Sequence, residues 1–125
     1  MNIIIDAMGG DNAPAEILKG AAQAVREYGV NITAVGDEAK IAAAAKENNI
    51  DMTGIRVVHA SEEISMCDEP TKAIRSKKDS SMVVGMRMLA DGEGDAFVSA
   101  GSTGALLAGA MLIVKRLRGV KRPAI

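Results

Sequence analysis

The sequence predicts an α/β protein with a parallel sheet and helices on both faces. Three observations predict it. Short apolar runs bounded by turn residues alternate with longer segments of helical periodicity along the chain. The spacing is that of βαβ units, whose right-handed crossovers carry helices to the sheet faces. Two Gly-rich corners, "AMGGDNAP" and "SAGSTGA", each follow a strand-like run and open a helical one. In open parallel sheets, ligands gather at such corners, beyond the carboxyl ends of the strands.

The first strand is "NIIID" (2–6), an apolar run ended by Asp6. After the turn cluster, Asp11 or Asn12 suits an N-cap and Pro14 a first helical position. Ile17, Leu18, Ala21, Val25 and Tyr28 then recur at helical spacing until Gly29 stops the helix. "NITAVG" (31–36) is a second strand. "DEAKIAAAAKENN" (37–49) is a helix with an acidic start and few large side chains to anchor it. "GIRVVHA" (54–60) is the third strand. The stretch 61–81 is irregular, a connection followed by a short helix within "TKAIRSKKDSS". The next helix begins at Asp79, with Ser80 and Ser81 in its first turn. Met82, Met86 and Leu89 stack on one face, with Val83 and Ala90 beside them. "DAFVSA" (95–100) is the fourth strand, and residues 103–116 the last long helix. "GVKRPAI" (119–125) reads as a turn entering another strand. Because parallel strands want neighbours and covered faces, residues 1–125 are expected to be a single α/β unit, the N-terminal portion of a longer protein.

Composition narrows the function. Hydrophobic residues make up 48% of the 125 and charged residues 25%, as in soluble globular proteins. There is no Trp, and Phe97 and Tyr28 are the sole aromatics, so Ile, Val, Leu, Ala and eight gap-filling Met must build the core. A single cysteine, Cys67, excludes an internal disulfide and fits a reducing compartment. "MNIIIDAMGG" lacks a basic start and a long apolar run, so the expected location is cytoplasmic. Residues 1–70 carry 5 Lys and Arg against 12 Asp and Glu, net −7; residues 71–125 carry 10 against 4, net +6. The basic half could attract an anionic ligand or an acidic partner, or be a solvated salt-bridged surface.

Three segments could carry chemistry. At the first corner, Asp6 sits at the strand tip, and Gly9 and Gly10 permit backbone conformations closed to other residues; Asp11 reads as a helix cap before it reads as a catalytic group. At the second, Gly101 and Gly104 allow a tight turn, and the first amides of the following helix lack intrahelical partners. They carry the positive end of its dipole, which suits phosphate. Ser99, Ser102 and Thr103 add hydroxyls, although Ser102 or Thr103 could simply cap the helix. In "RSKKDSSM" (75–82), Lys77 and Lys78 precede Ser80 and Ser81 at a helix start. They either reinforce an anion site or remain solvated, with Asp79 a cap. There is no G-x-G-x-x-G and no P-loop pattern, so a nucleotide site is poorly supported. His59 has no acid partner at fixed spacing and Cys67 no thiolate-stabilising neighbour. No metal-ligand spacing occurs. The basic residues Lys115, Arg116, Arg118, Lys121 and Arg122 lack interleaved aromatics, which argues against nucleic acid.

Together, "IDAMGGDNAP", "RSKKDSSM" and "DAFVSAGSTGALLAGA", in this order and at these separations, resemble the bacterial phosphate acyltransferases of phospholipid synthesis. "AVGDE", "VVHASEEI" and "GVKRPAI" are similar to that family too, although its members are much longer. Asn12 stands where many members carry His, and Ser102 where many carry Asn. The resemblance implies transfer of a long-chain acyl group from acyl carrier protein to inorganic phosphate. A membrane acyltransferase then uses the acyl phosphate to acylate glycerol 3-phosphate. It implies an isocitrate/isopropylmalate dehydrogenase-like fold shared with phosphotransacetylases, a homodimer, no metal or other cofactor, and a cytoplasmic enzyme that can sit peripherally at the membrane. On this expectation Ser99, Gly101, Ser102, Thr103 and Gly104 cradle phosphate or acyl phosphate. Lys78, Ser80 and Ser81 assist, while Asp6, Gly9, Gly10 and Asp11 shape the facing wall. The alternatives are an anion- or nucleotide-binding module, and a structural fragment that is inactive alone.

Overall fold

The computed structural model describes residues 1–124. Four strands form one all-parallel sheet: β1 (Asn2–Asp6), β2 (Asn31–Gly36), β3 (Ile55–His59) and β4 (Ala96–Val98), in the order β3-β2-β1-β4. The helices are α1 (Ala15–Tyr28), α2 (Glu38–Glu47), α3 (Pro70–Ser76), α4 (Ser81–Ala90) and α5 (Thr103–Gly109), the last continuing as a π-helical turn over Ala110–Val114.

Alternation along β1 builds the two layers, because successive side chains leave a strand on opposite faces. Ile5 joins Leu18, Ala21, Ile32, Ala34 and Ile41 under α1 and α2. Ile4 joins Val35, Ala60 and Met88 under α4 on the other face. A third cluster of Ile74, Met82, Val83, Met86 and Ala105 locks α3, α4 and α5 together. The buried Met82 and Met86 confirm that the methionine stripe is core. The chain steps outward from β1 to β2 to β3, then reverses to place β4 on the other side of β1. The reversal puts a topological switch point between β1 and β4, where crevices form in open α/β sheets.

Several boundaries differ from expectation. Neither Asp11 nor Asn12 caps α1. Pro14 occupies the N-cap position with no side-chain cap, and residues 11–14 form turns. β4 shortens to three residues. Ser80, not Asp79, caps α4, its hydroxyl accepting from the Val83 amide at 3.3 Å. The last helix ends at Val114 rather than 116. There the Lys115 amide reaches back five residues to the Ala110 carbonyl at 2.7 Å, and Lys115 itself turns to φ +72°. Residues 119–124 form no strand, and Ile125 lies outside the described residues.

Candidate functional site

The two Gly-rich corners meet at the switch point. Asp6, at the carboxyl end of β1, is 2% exposed and is surrounded by donors. The Ser81 hydroxyl donates to its Oδ1 at 2.6 Å, the Met8 amide to the same oxygen at 3.1 Å, and the Ser99 hydroxyl to Oδ2 at 2.8 Å. One carboxylate thus ties β1 to the start of α4 and the end of β4. Ser99 Oγ in turn accepts the Gly101 amide at 3.0 Å. The corners touch backbone to backbone: a Cβ on Gly9 would lie 2.9 Å from Gly101 N, and one on Gly101 would lie 3.3 Å from Gly9 Cα.

This geometry redistributes the expected roles. A serine hydroxyl has one proton. Ser81 and Ser99 both direct theirs at Asp6. Asp6 is buried, and both of its carboxyl oxygens are engaged by these donors. Ser80 is fully buried as the cap of α4. Ser102 is buried too, its hydroxyl capping α5 by accepting from the Ala105 amide at 3.3 Å. Gly10 sits at φ +114° against Ala100, which explains the glycine by backbone conformation. Asp11 and Lys78 are exposed and take no part in the Asp6 cluster. It is Lys77 that is held, with Nζ 2.7 Å from Asp68 and 2.9 Å from the Glu63 carbonyl.

The first turn of α5 remains open to solvent. Thr103 and Gly104 are exposed, and their amides take no partner among the described residues, as first-turn amides do not. The Thr103 hydroxyl stands beside them. Charge favours this turn over its neighbours. Asp37 caps α2 and Glu69 caps α3, each accepting two amides, so those helix starts carry their own anion. The start of α4 has Asp6, through Ser81. The first turn of α5 has a neutral serine cap and no acid, which leaves its dipole end uncompensated.

Pro70 was not legible as a site residue, yet it forms part of this wall: a Cβ on Gly104 would lie 2.8 Å from its Cγ. The Glu-Pro pair that starts α3 is the available signal, an acidic cap followed by proline at the first helical position. His59 accepts the Glu38 amide on Nδ1 at 3.2 Å, a structural role. Asp79 receives the Ser61 hydroxyl, and the Ser61 amide at 2.9 Å, and these hold its carboxyl below the usual range. Among the described residues no His, Cys, Asp and Glu group could hold a metal, and no helix is long and apolar enough to cross a membrane. Beside the corner, an open apolar groove of about 490 Å³ runs between α1 and β4, floored by Ile3, Ile5 and Val98.

The class is a parallel α/β unit in which two Gly-rich corners meet at the topological switch point of the sheet. The family described as "Fatty acid synthesis protein" matches residues 1–125, and the chain belongs to that family. It is 51% identical over 126 residues to a phosphate acyltransferase of Acetivibrio thermocellus, and 46% identical over 125 residues to one of Clostridioides difficile. Both comparisons cover 100% of this chain and 37% of the relative, so the chain spans little over a third of those proteins' length. The fold matches the EutD phosphotransacetylase from Staphylococcus aureus with a TM-score of 0.68 at 23% identity, over 98% of this chain and 40% of that one.

Proposed function

We propose that this chain is the phosphate-holding part of an enzyme that moves a fatty acyl group from acyl carrier protein to inorganic phosphate. A phosphate oxygen attacks the thioester carbonyl and the thiolate leaves, giving acyl phosphate and free carrier. The task is to position a small anion and to stabilise developing negative charge, which fixed amides do without a covalent intermediate. The observation that carries this reading is the exposed start of α5, where the amides of Thr103 and Gly104 stand unpaired with no acid in the turn. Gly101 and Ser102 shape that loop from behind, and Lys78 adds positive charge at longer range. No cofactor enters the step.

In a chain as long as its relatives, the reading extends to an isocitrate/isopropylmalate dehydrogenase-like fold and a homodimer. The enzyme would be cytoplasmic or peripheral at the membrane, and a membrane acyltransferase would consume the acyl phosphate. The basic half, net +6 over residues 71–125, would face the acidic carrier. Carrier binding is then expected to weaken with salt.

Thr103→Glu tests the anion site, since it puts a carboxylate into an exposed helix start without disturbing the core. Titration of inorganic phosphate into the chain should show at least a tenfold loss of affinity; unchanged affinity would defeat the reading. Because the matched relatives are far longer, the 125 residues by themselves are expected to bind phosphate without turnover. Acyl phosphate formation by them would contradict that.

A further inference from the structure

The hydrogen-bond directions around Asp6 carry a consequence for specificity. Both carboxyl oxygens of Asp6 accept hydrogen bonds, and a serine hydroxyl has one proton and two lone pairs. Ser99 directs its proton to Asp6 Oδ2 at 2.8 Å and receives the Gly101 amide at 3.0 Å. What the half-buried Ser99 still offers is one lone pair. Asp6 has no freedom to release it: its Oδ1 is fixed by Met8 and Ser81, and Gly9 packs so closely that an added Cβ would lie 2.5 Å from Oδ2.

We propose that Asp6 is a positioning residue that holds Ser99 as a hydrogen-bond acceptor, and that Ser99 thereby selects inorganic phosphate over sulfate. Phosphate keeps a P–OH proton at neutral pH and can donate it to Ser99. Sulfate, of the same shape, has none and would set an anionic oxygen against a lone pair. The proposal rests on the reading that phosphate is held at the start of α5, and adds the Ser99 hydroxyl oxygen to that site.

Asp6→Asn gives a sharp test. The Met8 amide and the Ser81 hydroxyl both point at Oδ1, so the new amide oxygen takes that place and its NH2 faces Ser99. Ser99 then accepts from both the new amide and Gly101, and its proton turns outward. The acceptor has become a donor. Inorganic phosphate and sulfate are titrated by calorimetry into the 125-residue chain at neutral pH and fixed ionic strength, with circular dichroism confirming each variant's fold. The parent should prefer phosphate by about tenfold, the worth of one lost hydrogen bond to a charged partner. Asp6→Asn should remove or invert that preference. Ser99→Ala should remove it, and does so at a half-exposed position should Asp6→Asn fail to fold. Ser99→Thr should restore it.

A parent that binds the two anions equally overturns the proposal and leaves the phosphate site standing. So does a folded Asp6→Asn or Ser99→Ala that keeps the preference. Binding of neither anion to the parent overturns the site and this proposal together.

Discussion

Gly9→Ala puts the contact between the two corners to the test. The new methyl would lie 2.5 Å from Asp6 Oδ2 and 2.9 Å from both Ser99 Oγ and Gly101 N. Comfortable contacts begin near ~3.5 Å, so the corners must part by roughly 1 Å. None of these atoms ends a flexible side chain: Asp6 is held by three donors and Gly101 N is backbone. The Ser99 bonds, at 2.8 and 3.0 Å, do not survive that separation. Losing one hydrogen bond to a carboxylate and one ordinary one costs about 2.5–4 kcal/mol, offset by about 0.4–1 kcal/mol from a less flexible unfolded chain. The net is a destabilisation of about 1.5–3.5 kcal/mol. For a chain of this size Tm should fall by about 5–15 °C. Urea and thermal unfolding followed by circular dichroism measure it. Gly20→Ala is the control: it sits on the exposed face of α1 with nothing within 4 Å of an added Cβ, and should gain about 0.5–1 kcal/mol. A Gly9→Ala protein within about 0.5 kcal/mol of the parent would refute the packing of the corners described above.

Further outcomes follow from the same geometry. Gly104→Ala should destabilise by about 1–2 kcal/mol because the methyl meets Pro70, and adding Pro70→Ala should recover part of that loss in a double-mutant cycle. The Lys77 ammonium and the Ser65 amide hold the Asp68 carboxyl below the usual aspartate range, and the Ser61 hydroxyl and amide do the same for Asp79. A depressed folded-state pKa means stability that is complete above the unfolded value and is lost as pH falls through the folded one. Tm should therefore drop in the acid region below ordinary aspartate titration, and Lys77→Met should flatten part of that slope.

The architecture was legible because its signals are local. "NIIID" and "NITAVG" are bounded apolar runs, and Ile17, Leu18, Ala21 and Val25 repeat at helical spacing; all of these became the expected elements. The errors also have local causes. Asp11 and Asn12 look like caps, but the chain turns through residues 11–14 and enters α1 after Pro14. Apolar periodicity continues past Gly109, yet the backbone widens to a π turn and stops at Lys115, which composition does not encode. The sequence placed both Gly-rich corners at the sheet's carboxyl edge, where the structure has them. It did not reveal hydrogen-bond direction. As a sequence, Ser81 and Ser99 read as hydroxyls available to phosphate; in the fold both donate to the buried carboxyl of Asp6, 75 and 93 residues away along the chain.

That separation shapes how the molecule acquires its function. Closing a loop of such length is entropically slow and pays back only when the far strand has docked. The knot at Asp6 should therefore form late in folding and open early under stress, before the α1–β2 and α2–β3 units lose their shape. Anion affinity would report the completeness of the native state, and a ligand seated there would act as a latch on the edge strand.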